Sequence, residues 1–128
     1  MKNINIEFID HKDQRYDTCG DWQYSDKSIN IKISRLGDWK MDSLVAVHEL
    51  IEVLLCKQDG VTEQQVDKFD FKFSSDRAKG LHPKTAEGGN DPKCPTHKQH
   101  RFANKVERML ARKMKVDWKE YARRIINL

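Results

Sequence analysis

Residues 44–56 read Leu44-Val-Ala-Val-His48-Glu49-Leu-Ile-Glu52-Val-Leu-Leu-Cys56. Only His48, Glu49 and Glu52 are strongly polar in this run. At about 100° per residue, Glu52 lies about 40° from His48 around a helix, and Glu49 about 100° from it. All three therefore share one arc of a helix that is apolar on its other sides and buried nearly all round. An imidazole and two carboxylates are costly to desolvate there. A cation, a set of hydrogen bonds or a water-filled cleft must compensate them. Residues four apart stand one turn above each other, so His48 and Glu52 can grip one ion. Glu49 is then placed beside that ion, where a carboxylate can take a proton from activated water. A buried polar network without metal is the competing reading.

Working outward, Asp42 is the expected N-cap of this helix and Lys57 its approximate end, with Gly60 closing it. Upstream, residues 3–9 and 28–33 alternate apolar and polar residues as half-buried strands do. Trp22 and Tyr24 mark a third short strand that turns at Asp26-Lys27. A small antiparallel sheet of about three strands is expected at the front. Downstream, Thr62 and Gln65 have capping-box spacing for a second helix to about Lys79, although Phe69–Phe73 also alternates like a strand. Residues 80–95 hold all three prolines and three of the six glycines and read as a flexible loop able to gate a cleft. Thr96 and Gln99 repeat the capping spacing for a helix to about Lys115, with Phe102, Val106, Met109, Leu110 and the Lys113 stem on its buried face. Asp117 and Glu120 repeat it again for a short last helix with Trp118, Tyr121, Ile125 and Ile126. The expected fold is α+β: the sheet followed by three to four packed helices.

The run Val-Ala-Val-His48-Glu49-Leu-Ile-Glu52 resembles the active-site helix of zincin-type metallopeptidases, whose usual signature is His-Glu-x-x-His. The resemblance implies His48 as a metal ligand, Glu49 as the general base and residue 52 as a second ligand. It also implies one zincin-like domain over residues 1–128, with Ile29–Ile33 as the edge strand that pairs with extended substrate. Position 52 is Glu, giving His-Glu-x-x-Glu; carboxylate suits zinc and also harder ions such as manganese or magnesium. The clear match covers about a dozen residues and the strand before them. The layout is also similar to small uncharacterised phage and bacterial proteins carrying His-Glu-Leu-Ile-Glu.

A third ligand is needed. His100 is the first candidate, with Glu107 seven residues on as the residue that would orient it. His97, Asp67 and Asp70 are the alternates. The expected function is a zinc-dependent, metallopeptidase-like hydrolase acting on peptide or protein. Glu49-x-x-Glu52 followed by Asp67-x-x-Asp70 also resembles the paired acidic motifs of all-α nucleoside triphosphate pyrophosphohydrolases, which use magnesium. Cys94-Pro-Thr-His97 has a zinc-knuckle spacing but no second pair, and Cys56 reads as a small buried residue.

The charge is unevenly placed. Residues 1–92 carry 13 Lys/Arg and 17 Asp/Glu, whereas residues 93–128 carry 11 and 3. Arg101, Lys105, Arg108 and Arg112 recur at helical spacing and Arg123 and Arg124 extend the positive surface. This supports a non-catalytic, metal-stabilised module that binds nucleic acid or an acidic partner. The plainer reading is a solvated face, or a basic tail that covers the acidic front half of the same molecule. No run is long and apolar enough to span a bilayer. The N-terminus lacks the apolar core of a secretion signal, and three cysteines leave one unpaired, so a reducing cytoplasm is expected, the host's where the chain is phage-encoded.

Overall fold

The computed structural model describes residues 1–128. Three strands, β1 (Asn3–Ile9), β2 (Gly20–Tyr24) and β3 (Ser28–Ser34), precede four helices, α1 (Trp39–Asp59), α2 (Glu63–Ala78), α3 (His97–Lys113) and α4 (Trp118–Ile126). The fold is α+β.

The sheet is mixed, with strand order β1-β3-β2. β2 and β3 form the expected antiparallel hairpin around Asp26-Lys27. β1 instead runs parallel to β3, with Ile4, Ile6 and Phe8 in register with Ile29, Ile31 and Ile33. The expected all-antiparallel sheet is therefore corrected. Alternation fixes which face of a strand is apolar and leaves pairing direction open. The intervening segment, β2 included, is long enough for the crossover that parallel pairing requires. β3 also lies at the sheet's centre, so Ile29–Ile33 is not an edge strand; the free edges belong to β1 and β2.

Ile29, Ile31 and Ile33 are almost wholly buried against α1, where Leu44, Val45 and Val53 complete the core with Trp22 and Tyr121. β1 lies beyond the cover of this helix, which leaves Ile4, Ile6 and Phe8 exposed. α1 starts a turn earlier than the sequence suggests. Gly37, at φ 84°, turns the chain so that the Asp38 carboxylate accepts from the Lys40 and Met41 amides. The expected cap, Asp42, reaches back to the Leu36 amide instead. Gly60, at φ 72°, ends the helix as expected.

Thr62 and Gln65 form a reciprocal capping box on α2. Phe69–Phe73 is helical, not a strand: Phe69 and Phe73 stack one turn apart, while Phe71 meets Tyr16 on another side. Thr96 begins α3 without the expected box, because its hydroxyl pairs with Cys94 Sγ and Gln99 donates to Asp59. The expected buried face of α3 holds only in part: Leu110 packs against the core and Val106 is half-buried, but the rest of that face is open. Phe102 and Met109 are 52% and 66% exposed, and the buried side is Gln99, His100, Ala103, Glu107 and Ala111. The reason is what α3 packs against. Its inner side lies along α1 beside the polar arc of that helix, so small residues and hydrogen-bonding groups fit there and Phe does not.

Lys115, at φ 58°, breaks the chain between α3 and α4. Asp117 caps α4 at the Glu120 amide, and the Glu120 side chain turns to Arg123 and Arg124. Residues 80–95 are a loop carrying one short 3-10 turn, Gly88–Asn90, seated between α2 and α3. No helix is long and apolar enough to cross a membrane.

Candidate metal centre

α1 presents His48 and Glu52 one turn apart, and the first turn of α3 places His100 opposite them. His48 Nε2 is 3.1 Å from Glu52 Oε2 and 3.2 Å from His100 Nδ1, and His100 Nδ1 is 3.1 Å from Glu52 Oε2. The three side chains are buried and form a group that could hold a metal ion. Ligand atoms at about 2.0–2.1 Å from a tetrahedral zinc stand about 3.3 Å apart. The triangle thus needs to open by only a few tenths of an ångström to accept an ion.

The surrounding contacts fix which atom of each side chain faces the centre. Glu107 Oε1 lies 2.8 Å from His48 Nδ1 and takes its proton in a hydrogen bond, which leaves Nε2 for the triangle. A carboxylate behind a histidine sets its tautomer and raises its basicity. Glu87 Oε2 lies 3.3 Å from His100 Nε2, within ion-pair distance but without the hydrogen bond that Glu107 makes to His48. The indole of Trp22 donates to Glu52 Oε1 at 3.1 Å, so Oε2 is the oxygen left to bind. The sequence reading paired Glu107 with His100. The structure gives it to His48, because Glu107 sits two turns along α3 from His100 and meets α1 at the height of His48.

Glu49 does not join the triangle. Its carboxylate lies against β2, where a Cβ on Gly20 would come within 2.6 Å of Oε1; only glycine leaves room for it. Burial, reinforced by the charge of Glu52, pushes the Glu49 carboxyl up to about 8. Burial alone would depress His48, but hydrogen bonds to Glu107 and Glu52 carry it up to about 11. His100 rises to about 9 against the same penalty, through Glu52 and Glu87. For Glu52 the two rings outweigh desolvation and hold its carboxyl down to about 2. Without an ion, the site therefore keeps protons on both rings, and those protons occupy the place of a cation.

The group opens on a cavity of about 520 Å³, lined also by Tyr16, Asp70, Arg77 and Glu87. This falls in the size range of small-molecule and peptide subsites. Residues 80–95 form one wall. Gly89 approaches His100 so closely that a Cβ would lie 2.4 Å from the ring.

The alternates lie elsewhere. His97 Nδ1 contacts the Gly89 carbonyl, Asp67 pairs with Arg15, and the Tyr16 hydroxyl donates to Asp70. Asp70 faces the cavity, and burial pushes its carboxyl up to about 7. Asp67 is held by Arg15, while Asp70 shares the cavity with Glu49 and Glu52, so the carboxylates of the pyrophosphohydrolase reading come together only in part, and the sheet in front is foreign to that all-α design. Cys94 turns to Thr96, not to a partner of His97, and Cys56 is fully buried. Sequence reasoning missed Glu87, Trp22, Gly20 and Gly89. Trp22 reads from sequence only as a strand residue, and Gly20 opens that strand; Glu87 and Gly89 lie in the proline-rich loop, where the one local signal is a lone acid before Gly88-Gly89. Comparison with family models, with curated proteins and with solved structures finds no match to the chain.

Proposed function

We propose that the chain is a metal-dependent hydrolase of zincin-like design, acting on peptide bonds. The observation that carries this reading is the triangle of His48 Nε2, Glu52 Oε2 and His100 Nδ1, with Glu107 hydrogen-bonded behind His48 and Glu87 at ion-pair distance from His100. His48, Glu52 and His100 would hold the ion. Zinc suits two imidazoles and one carboxylate, and manganese is the next fit. When bound, such an ion lowers the pKa of water and polarises a carbonyl.

The chain's own residues supply the rest. Glu49 sits beside the triangle, at the cavity wall, and accepts a proton from the attacking water. It then returns that proton to the leaving amine. An ion near Glu49 would pull its carboxyl down from about 8 and leave it ionised for this task. β2 borders the cavity at the sheet's edge, where the Thr18 hydroxyl donates to the Gly20 carbonyl, so an extended peptide would add at Trp22 as a further strand. β2 therefore replaces the Ile29–Ile33 strand in this role. Glu63 closes the far end by accepting from the Tyr24 amide.

The test is hydrolysis of a generic peptide library by zinc-loaded protein and by Glu49→Gln. Loss of about 10²–10⁴ in rate, with metal content unchanged, is the expected result. Equal rates in both, or none in either, would remove the peptidase reading.

A second reading has its own support. Two sides of the triangle, His48 Nε2 to Glu52 Oε2 and His100 Nδ1 to Glu52 Oε2, are also closed by hydrogen bonds when both rings carry protons, as their raised pKa values favour. In that case the group is a buried polar network that holds α1 against α3. Metal analysis separates the two.

A further inference from the structure

The inner side of α3 serves the metal centre, and its outer side is built for something else. Lys98, Arg101, Lys105, Arg108 and Arg112 fall on one exposed ridge, one cation per turn over about 21 Å of helix. The helix has a single acidic residue, Glu107, and it points the other way, to His48. None of the five cations forms an ion pair. The basic face of this helix therefore makes no direct ion pair with the acidic front half. Arg123 and Arg124 do not extend the ridge, since Glu120 pairs with both. Amid the cations, Phe102 lies open to solvent with Met109 two turns on. Arg108 stacks over Trp118 at 4.5 Å, which fixes its direction and keeps its charge.

We propose that this face of α3 binds single-stranded nucleic acid, the cations meeting successive phosphates and Phe102 stacking on a base. The charge pattern points to a polyanion. A protein partner would have to bury five cations, lysines among them, which interfaces disfavour. A membrane-lying helix needs a broad apolar face toward lipid, and here Phe102 and Met109 are its whole outward apolar surface. The exposed ring favours an unpaired strand over a duplex, because stacking requires a base that is free of its partner. The inference does not depend on the metal reading, as none of these residues touches the centre.

The test is fluorescence anisotropy of the full chain with labelled dT20, a 20-base-pair duplex and anionic vesicles, from 50 to 300 mM KCl. Single-strand binding should weaken with log salt at a slope of up to about −3.5 for five phosphate contacts. The triple variant Arg101→Ala/Lys105→Ala/Arg112→Ala should flatten that slope to about −1.4. Phe102→Ala should weaken binding about 5- to 150-fold and leave the slope as it was. Circular dichroism and an unchanged thermal midpoint check that both variants stay folded. Absence of dT20 binding at 50 mM salt would overturn the proposal, as would an unaffected triple variant. So would duplex or vesicles bound more tightly than dT20 with Phe102→Ala silent.

Discussion

The candidate metal centre, His48, Glu52 and His100, is held from two sides that differ in kind. On one side, α1 is a helix of 21 residues, capped at both ends and packed on the sheet, and it supplies His48, Glu49 and Glu52. On the other, residues 80–95 form a loop with one short 3-10 turn, and it supplies Glu87 and the close approach of Gly89. Ligand geometry within a few tenths of an ångström demands the first kind of support. The second is an irregular segment tied down by its own short turns, among them the Ala86 amide on the Pro83 carbonyl, the Asn90 amide on the Glu87 carbonyl and the Cys94 amide on the Asp91 carbonyl. His100 stands between them, on the first turn of α3, with Glu52 on one nitrogen and Glu87 facing the other.

Removing a ligand from the rigid side should have the largest effect. His48→Ala leaves Glu52 and Glu107 buried without their central partner, and breaking such a pair costs about 3–5 kcal/mol. Chemical denaturation of metal-free protein should show that loss, together with loss of metal uptake. An unchanged midpoint would mean that the centre contributes nothing to holding α1 against α3.

The same substitution logic on the loop side gives a smaller and different effect. Glu87 is about half-exposed, so Glu87→Gln should leave stability nearly unchanged. It should weaken metal affinity by about 10- to 100-fold, the usual cost of losing a carboxylate behind a histidine ligand. Competition with a chromogenic chelator measures this. Equal affinity in both proteins would show that Glu87 does not orient His100. Gly89→Ala should push the loop off the His100 ring and speed proteolytic cleavage within residues 80–95, with α1 still protected. Cleavage at the parent's rate would show that the close approach is not what holds the loop.

A further effect is a pH dependence. In chelated protein, His48 and His100 are raised to about 11 and about 9. A raised folded pKa gives stability that is complete below the unfolded value of about 6.5 and lost as pH rises through the folded values. Glu49, raised to about 8, acts in the same direction. Thermal melts of chelated protein should therefore fall between pH 7 and pH 10. Metal-loaded protein should not follow this trend, because its rings carry no proton at the liganding nitrogens. Parallel melting curves for the two forms would contradict the assignment.

How much of this could be read beforehand follows from the same contrast. The α1 trio stood out because three polar residues interrupt an apolar helical run, and His100 followed from the need for another ligand near a helix start. Gly60 and the Thr62–Gln65 box were legible because capping chemistry is local. The direction of β1 was not, since its alternation suits either pairing. The α3 face was misread in part because the rule that apolar residues point inward inverts where the interior is a polar site; His100 and Glu107 took the inside and left Phe102 out. Glu87 was invisible because loop residues carry no periodicity, and its role exists only once the chain folds back over His100.

The central claim is that the triangle of His48, Glu52 and His100 is a metal centre and not a network filled by protons. Elemental analysis of the purified, untagged protein beside His48→Ala tests it most directly, each also after exposure to zinc or manganese and removal of excess. The account expects close to one divalent ion per chain in the parent and none in the variant. A parent that holds no metal even after exposure would contradict it, and His48, Glu52 and His100 would then be a polar network joining two helices.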